Sequence, residues 1–272
     1  MKLYDCCMYF DEDFMFDLRL NILNDCVNKF VIVEATKDHS GKTKNLTFDI
    51  NNFIKFKDKI IYIVVEDLPT NIKSYKKDWQ INHLRDQYQR NAITRGLKNC
   101  DENDLIMISD IDEIPDPKKI KDFNIINKYA CFMQKNFQSK INLQNISEKY
   151  WMGTKIIQKK NLKSPQWLRN IKTSKPPFWK FYKPRQPQLI YEGGWHFSFL
   201  KNPEGIAKKI KAYSHSEYNI ANFTDEKKIY DRIKNQKDIF DRNLNYKKVD
   251  LDKTFPEYIL KNQTKFKDWI LK

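Results

Sequence analysis

Apolar residues along this chain follow two alternating rhythms. Short runs rich in Val, Ile and aromatics occupy Lys2–Tyr9, Phe30–Ala35, Ile60–Val65, Leu105–Ser109 and Ala130–Gln134, each with the length and composition of a buried strand. Between them the spacing becomes helical. Phe14, Leu18 and Ile22 follow the acidic start Asp11-Glu12-Asp13. Ile81, Leu84, Tyr88 and Ala92 lie between Asp78 and Gly96, a glycine placed to end a helix. Strands alternating with helices predict an α/β fold with a largely parallel sheet covered by helices on both faces. The second half is less regular. Aromatic strands are expected around Tyr150 and Trp195. Asn202 caps and Pro203 opens a helix carrying Ile206 and Ile210, and Ile229, Ile233 and Phe240 mark one more apolar stripe. No repeat, low-complexity tract or linker divides the chain, so residues 1–272 are expected to form one domain.

Composition narrows the class. A chain of 272 residues, 40% hydrophobic and 14% aromatic, can bury a substantial core and is too apolar to be disordered. No stretch approaches the roughly 20 apolar residues of a membrane span. The chain enters the strand-like segment Leu3–Phe10 almost at once, without the regions of a signal peptide. The five cysteines (Cys6, Cys7, Cys26, Cys100, Cys131) are odd in number and lack Cys-x-x-Cys spacing, which points to reduced thiols and a cytoplasmic protein. An Asn-x-Thr triplet at Asn45 carries no weight without a secretory signal. The formal charge of +15 admits nucleic acid, an anionic membrane surface or a phosphorylated substrate as partner. The lysines are scattered, however, and no helix-turn-helix, RNP or zinc-finger signature occurs, so no nucleic-acid partner is expected. Weak peripheral association with anionic lipid fits the same charge. A Lys/Asn/Ile-rich chain with only six glycines also carries the mark of an AT-rich genome.

Candidate chemistry concentrates in Leu105–Pro115, where an apolar run ends in Asp110-Ile111-Asp112-Glu113. A buried strand that delivers carboxylates to its C-terminal tip builds an oxygen-rich site suited to Mg²⁺ or Mn²⁺ holding a phosphate. Open α/β sheets keep their ligands at such tips. Asp-x-Asp alone is weak evidence, since it recurs at Asp11/Asp13 and Asp250/Asp252. Neither a Gly-x-Gly-x-x-Gly nor a P-loop pattern is present, so a phosphate would have to be held by a metal and basic side chains.

The chain resembles glycosyltransferase family 17, the family of the bisecting β-1,4-N-acetylglucosaminyltransferase and its bacterial and viral relatives. The segments that carry the resemblance run in family order: FVIVEATKDHSGKTKNLTF (Phe30 to Phe48), YQRNAITRGL (Tyr88 to Leu97), DLIMISDIDEIP (Asp104 to Pro115), GGWHFSFLKNPEGIAKKI (Gly193 to Ile210) and FPEYILKN (Phe255 to Asn262). The resemblance implies a GT-A fold with a Rossmann-like, mixed and mostly parallel sheet, a UDP-sugar donor with UDP-GlcNAc as the expectation, Mn²⁺ or Mg²⁺, and transfer with inversion to a carbohydrate acceptor. Without an evident membrane anchor, a lipid-linked oligosaccharide or surface-polysaccharide precursor in the cytosol is the more natural acceptor. It assigns the metal to Asp112, with Asp110 as a further ligand or ribose contact, and to a distant histidine. Of His39, His83, His196 and His215, the Gly-Trp-His segment favours His196, with His215 second. Inversion needs a general base. Glu204 of Pro-Glu-Gly is the first candidate and Glu113 the second, although a first-turn glutamate also suits simple helix-dipole complementarity. The donor pocket is expected at Glu34 to Lys42, with Thr36, Ser40 and Lys42 as contacts. Arg90 is placed to meet the diphosphate or the acidic tip, and Trp195 or Trp151 to stack on a sugar ring.

Three other classes compete. A HAD-type phosphohydrolase would carry its acidic strand near the N-terminus and a later Gly-Asp, which is missing here. A metal-dependent nuclease gives the Gly-Trp-His segment no role. A carbohydrate-binding protein would use the aromatics without needing the acidic tip.

Overall fold

The structure, a computed structural model, describes residues 1–70, 78–175, 179, 184–212 and 218–271. His215 lies outside the described residues. The sheet is organised around β1 (Leu3–Met8), whose alternate residues are buried on opposite sides. Leu3 and Cys7 join one apolar cluster, Tyr4 and Cys6 another, as a strand covered on both faces requires. Next to β1 lie β2 (Lys29–Ala35), then β3 (Ile60–Val65); β4 (Leu105–Ile108) takes the other side, and all four strands are parallel.

The chain then adds β5 (Glu113–Pro115), β6 (Tyr129–Gln138), β7 (Leu143–Asn145), β8 (Tyr150–Gln158), β9 (Gln188–Ile190), β10 (Gly194–Ser198) and β11 (Tyr246–Lys248). The sheet order is β11-β7-β6-β8-β4-β1-β2-β3. Both β9 and β10 pair with β6 in parallel, and β5 pairs antiparallel with β10. The parallel block matches the strand–helix alternation of the first half. Beyond β4 the pairings to β8, β7 and β11 are antiparallel. Residues 139–142, which join β6 to β7, are too few for the crossover a parallel pair needs.

Helices cover both faces. On one side α1 (Asp13–Leu23) buries Met15, Phe16, Leu18, Leu20 and Leu23, joined by Phe53 and Phe56 of the 3₁₀ segment Ile50–Lys59. On the other lie α2 (Asp78–Asn91), α3 (Ile93–Gly96) and α4 (Pro165–Asn170), contributing Tyr88, Ile93 and Leu168. The helix expected from Asp78 to Gly96 thus breaks at Ala92. A third, smaller cluster joins α5 (Pro203–Ala212), α6 (Ala221–Thr224) and α7 (Glu226–Lys234) through Ile206, Ile210, Ile229 and Ile233, with Phe223 packed against it. Phe240 packs there from beyond the end of α7. Last, α8 (Glu257–Lys261) seals the first face with Ile259, beside Phe255 and Phe266.

Two features position a site. The chain leaves β1 toward β2 and β3, then returns to β4 on the opposite flank, so the crevice beyond the C-terminal ends of β1 and β4 is a topological switch point. Gly194 lets β10 begin against β5. Its φ is +130°, and a Cβ there would stand 2.2 Å from the Ile114 carbonyl oxygen, which no other residue could tolerate. No described helix is long and apolar enough to cross a membrane.

Candidate active site

A cavity of about 470 Å³ opens at the switch point. Strand order places Phe10, His39 and Arg90 on one flank of its acidic turn and Glu148, Trp151 and Tyr246 on the other. Asp110, Asp112, Asn136 and His196 lie on its wall.

The acidic turn is held from beneath by Arg19 of α1. This side chain is fully buried and meets both carboxylate oxygens of Asp5 at 2.6 Å. It also donates to the carbonyls of Asp110 and Ile111 at 3.2 Å, of Glu113 at 2.8 Å, and to Ser109 Oγ at 2.5 Å. The sequence did signal it: Phe16, Arg19 and Leu23 stand at i, i+3 and i+7, so a cation sits on the apolar face of α1.

Glu113, one residue past the turn, is wholly buried. It accepts from both terminal nitrogens of Arg169 at 2.8 and 2.9 Å, from the Trp151 indole at 2.7 Å and from the Asp110 amide at 3.0 Å. A carboxylate so fully engaged cannot serve an acceptor hydroxyl. The expectation for Glu113 as base is corrected to a buried anchor. Asp110 lies between Arg90 at 3.2 Å and Arg169 at 3.1 Å. Burial pushes its carboxyl up, but the two guanidiniums outweigh that and hold it well below the usual carboxylate range. Arg90 also grips Asp86 at 2.9 Å, and its Nε is buried with no hydrogen-bond partner among the described residues.

His196 reaches the turn because β10 pairs with β5, with His196 opposite Glu113. The Phe197 amide donates to the Asp112 carbonyl at 2.9 Å and locks the two segments together. The imidazole is 7% exposed and stacks on Trp151 with centroids 4.5 Å apart. Asn136 fixes its tautomer. The Asn136 amide nitrogen donates to the Glu148 carbonyl at 3.2 Å, so its oxygen faces His196 Nδ1 at 3.0 Å and accepts a hydrogen bond from the Nδ1–H. That leaves the Nε2 lone pair facing Asp112 Oδ1 at 3.9 Å. Burial also pulls the imidazole below its ordinary value, favouring the neutral form that ligates metals.

One carboxylate and one imidazole fit a divalent ion completed by phosphate and water, and the imidazole favours a transition ion such as Mn²⁺ over Mg²⁺, which is usually held through carboxylates and phosphates alone. An imidazole oriented through its second nitrogen is the expected support for such a ligand. The Lys209 ammonium, 3.5 Å from Asp112 Oδ2, shows that the position already attracts positive charge. Asp110, expected as a further ligand, is committed to its two arginines. Among the described residues no group of three His, Cys, Asp or Glu side chains is arranged to hold a metal.

Several other expectations change. Trp195 faces away from the cavity because it alternates with His196 along β10. It is buried in the core, where its indole donates to the Thr254 carbonyl at 3.0 Å. Glu34 is fully buried and anchors the following loop through Lys44 at 2.5 Å, the Thr47 amide at 2.9 Å and Tyr62 at 2.8 Å. Within that loop Ser40 and the Lys42 amide bond to Asp38 at 2.6 and 2.9 Å, and the Thr36 hydroxyl reaches the Val65 carbonyl at 3.4 Å. Their neighbours Lys37, Asp38 and His39 line the cavity instead. Glu204 is exposed in the first turn of α5 and is not among the lining residues. The sequence reading missed Arg169 and Asn136, which reach the site from segments with no motif of their own, and Lys209, which lies inside the Gly193 to Ile210 segment but was not singled out.

Fold and cavity together define an α/β protein with a cavity at the switch point of its sheet. The chain belongs to glycosyltransferase family 17, whose sequence profile matches residues 1–269. Among solved structures it is similar to the galactosyltransferase LgtC in complex with donor and acceptor sugar analogs, at 14% identity and a TM-score of 0.31. That match covers 62% of this chain and 60% of the LgtC chain. An active-site mutant of LgtC matches at 13% identity with the same coverage and TM-score. The chain therefore spans about 60% of the length of the solved chains it matches. No curated relative matches it.

Proposed function

We propose that this family 17 member transfers a sugar from a nucleoside-diphosphate donor, UDP-GlcNAc on the family resemblance, to a hydroxyl of a carbohydrate acceptor with inversion, in a reaction that uses Mn²⁺ or Mg²⁺. The observation that carries the reading is the facing pair Asp112 and His196, with the imidazole tautomer fixed by Asn136, at the switch point of the sheet. Bound there, the ion would offset the negative charge that grows on the departing diphosphate. Lys209 adds a fixed positive charge beside Asp112. Asp110, kept ionised by Arg90 and Arg169, presents an acceptor for a donor hydroxyl. Trp151 is partly exposed beside His196 and offers an aromatic surface to a sugar ring.

The test is UDP release from UDP-GlcNAc by the purified protein with a panel of glycan acceptors. Release is expected with Mn²⁺ and lost with chelator. Asp112→Asn is expected to lower turnover by roughly 10²-fold or more with the melting temperature retained, because several kcal/mol of charge stabilisation is removed. Wild-type protein that binds no UDP in calorimetry with Mn²⁺ present, or an Asp112→Asn variant with full turnover, would overturn the reading.

A further inference from the structure

Inverting transfer needs a side chain free to take the acceptor's proton, and neither glutamate picked out in the sequence is placed for it. Six carboxylates line the cavity. Five are engaged. Glu12 meets Lys209 at 2.8 Å, Asp38 meets Ser40 at 2.6 Å and Asp86 meets Arg90 at 2.9 Å. Asp110 lies between two arginines, and Asp112 faces Lys209 and His196. The sixth is Glu148. Among the described residues its carboxylate makes no hydrogen bond or ion pair, and the side chain is exposed at the cavity wall.

We propose that Glu148 is the general base that deprotonates the acceptor hydroxyl. The inference rests on the transferase reading above and names the proton acceptor within it. Glu148 sits in the turn between β7 and β8, and both of its backbone groups are fixed. Its amide donates to Asn145 Oδ1 at 2.8 Å, and its carbonyl accepts from Asn136 at 3.2 Å. Asn136 is the side chain that orients His196, so one amide ties the base to the imidazole. Trp151, three residues further on, stacks on that same imidazole. The backbone that carries the base, the aromatic platform and the imidazole are thus linked to one another, on the flank of the acidic turn away from the loop of Lys37 to Lys44. A carboxylate without a guanidinium partner keeps its lone pairs available, whereas an arginine partner would lower its basicity.

In the step itself the acceptor O–H proton passes to a Glu148 carboxylate oxygen as the acceptor oxygen bonds to the anomeric carbon. The bond from that carbon to the diphosphate oxygen breaks, and its electron pair leaves with the nucleoside diphosphate. The proton on Glu148 then returns to water.

The experiment compares Glu148→Gln, Glu148→Asp and Glu204→Gln in the full chain. It reads the UDP dissociation constant by calorimetry, the melting temperature, and kcat with UDP-GlcNAc, Mn²⁺ and a productive acceptor. Glu148→Gln should lower kcat roughly 10²–10⁴-fold, the usual worth of general base catalysis, with UDP affinity and melting unchanged. Glu148→Asp should recover part of the rate, and Glu204→Gln should stay within about threefold of wild type. Near-normal turnover in Glu148→Gln would overturn the assignment while leaving the transferase reading intact. A loss of UDP affinity as large as the loss of turnover would also overturn it, since the residue would then position the donor. Wild-type protein that neither binds nor turns over a UDP-sugar would overturn both.

Discussion

Replacing Arg19 by methionine probes the support under the acidic turn. The guanidinium is fully buried and holds Asp5, Ser109 and three consecutive-region carbonyls, those of Asp110, Ile111 and Glu113. Burial alone would make Arg19 easier to deprotonate, but Asp5 outweighs that and keeps it charged. Methionine fills most of the stem's volume yet leaves the Asp5 carboxylate, 1% exposed, with no counter-charge. Removing one partner of a buried pair costs about 3–5 kcal/mol, and the orphaned carbonyls push the loss toward the upper end. At roughly 2–4 °C per kcal/mol, melting should fall roughly 6–20 °C. Removing the second charge as well, in Arg19→Met with Asp5→Leu, should recover much of that stability, because no buried ion remains. Turnover should not recover, since the turn still lacks its carbonyl anchors. Circular dichroism melts and UDP release well below the melting temperature read the two effects separately. A single variant that melts within about 2 °C of wild type would refute the reasoning, as would a double variant no more stable than the single.

Lys155 supplies a pH test. It is buried, donates to the carbonyls of Arg169 and Ile171 at 2.6 Å, and burial brings its ammonium down from 10.5 to about 8. Between those values the unfolded chain binds more protons at this site than the folded one, so stability should rise with pH across that window. Urea midpoints of Lys155→Met should lack this rise, and an identical pH slope in both proteins would refute it. Trp151→Ala should raise the acceptor KM roughly 2- to 10-fold, the worth of an aromatic stack, with the donor KM little changed. An unaltered acceptor KM would remove Trp151 from acceptor binding.

The strands of the first half were legible because period-2 and helical spacing both report burial, and β1 is buried on its two faces. The three-residue strands β5, β7, β9 and β11 were not, since no periodicity fits so short a window. The break at Ala92 also escaped notice, for neither proline nor glycine marks it. At the site, the acidic tip was visible because carboxylates close an apolar strand, and His196 was visible through its motif. Trp195 could have been set aside from sequence alone. Adjacent residues of a strand face opposite sides, so Trp195 and His196 cannot both face one cavity. Arg169 and Asn136 could not have been found this way, because only the pairing of β6, β8 and β10 and the docking of α4 bring them to the turn.

Charge compensation along the turn explains why neighbouring carboxylates play different parts. Glu113, at zero exposure, takes both terminal nitrogens of Arg169 within 2.9 Å, the close double contact that a buried carboxylate requires. Asp110 meets that same arginine at 3.1 Å and Arg90 at 3.2 Å. The Asp112 carboxylate, among the described residues, has an ammonium at 3.5 Å and, at 3.9 Å, an imidazole that burial holds toward neutrality. Coulomb attraction falls with distance, and a neutral imidazole contributes no charge, so Asp112 is the least compensated carboxylate of the turn. A cation entering the cavity therefore gains most at Asp112. Two of the three acidic side chains are tied up in building the turn, and the one between them carries the least compensating charge.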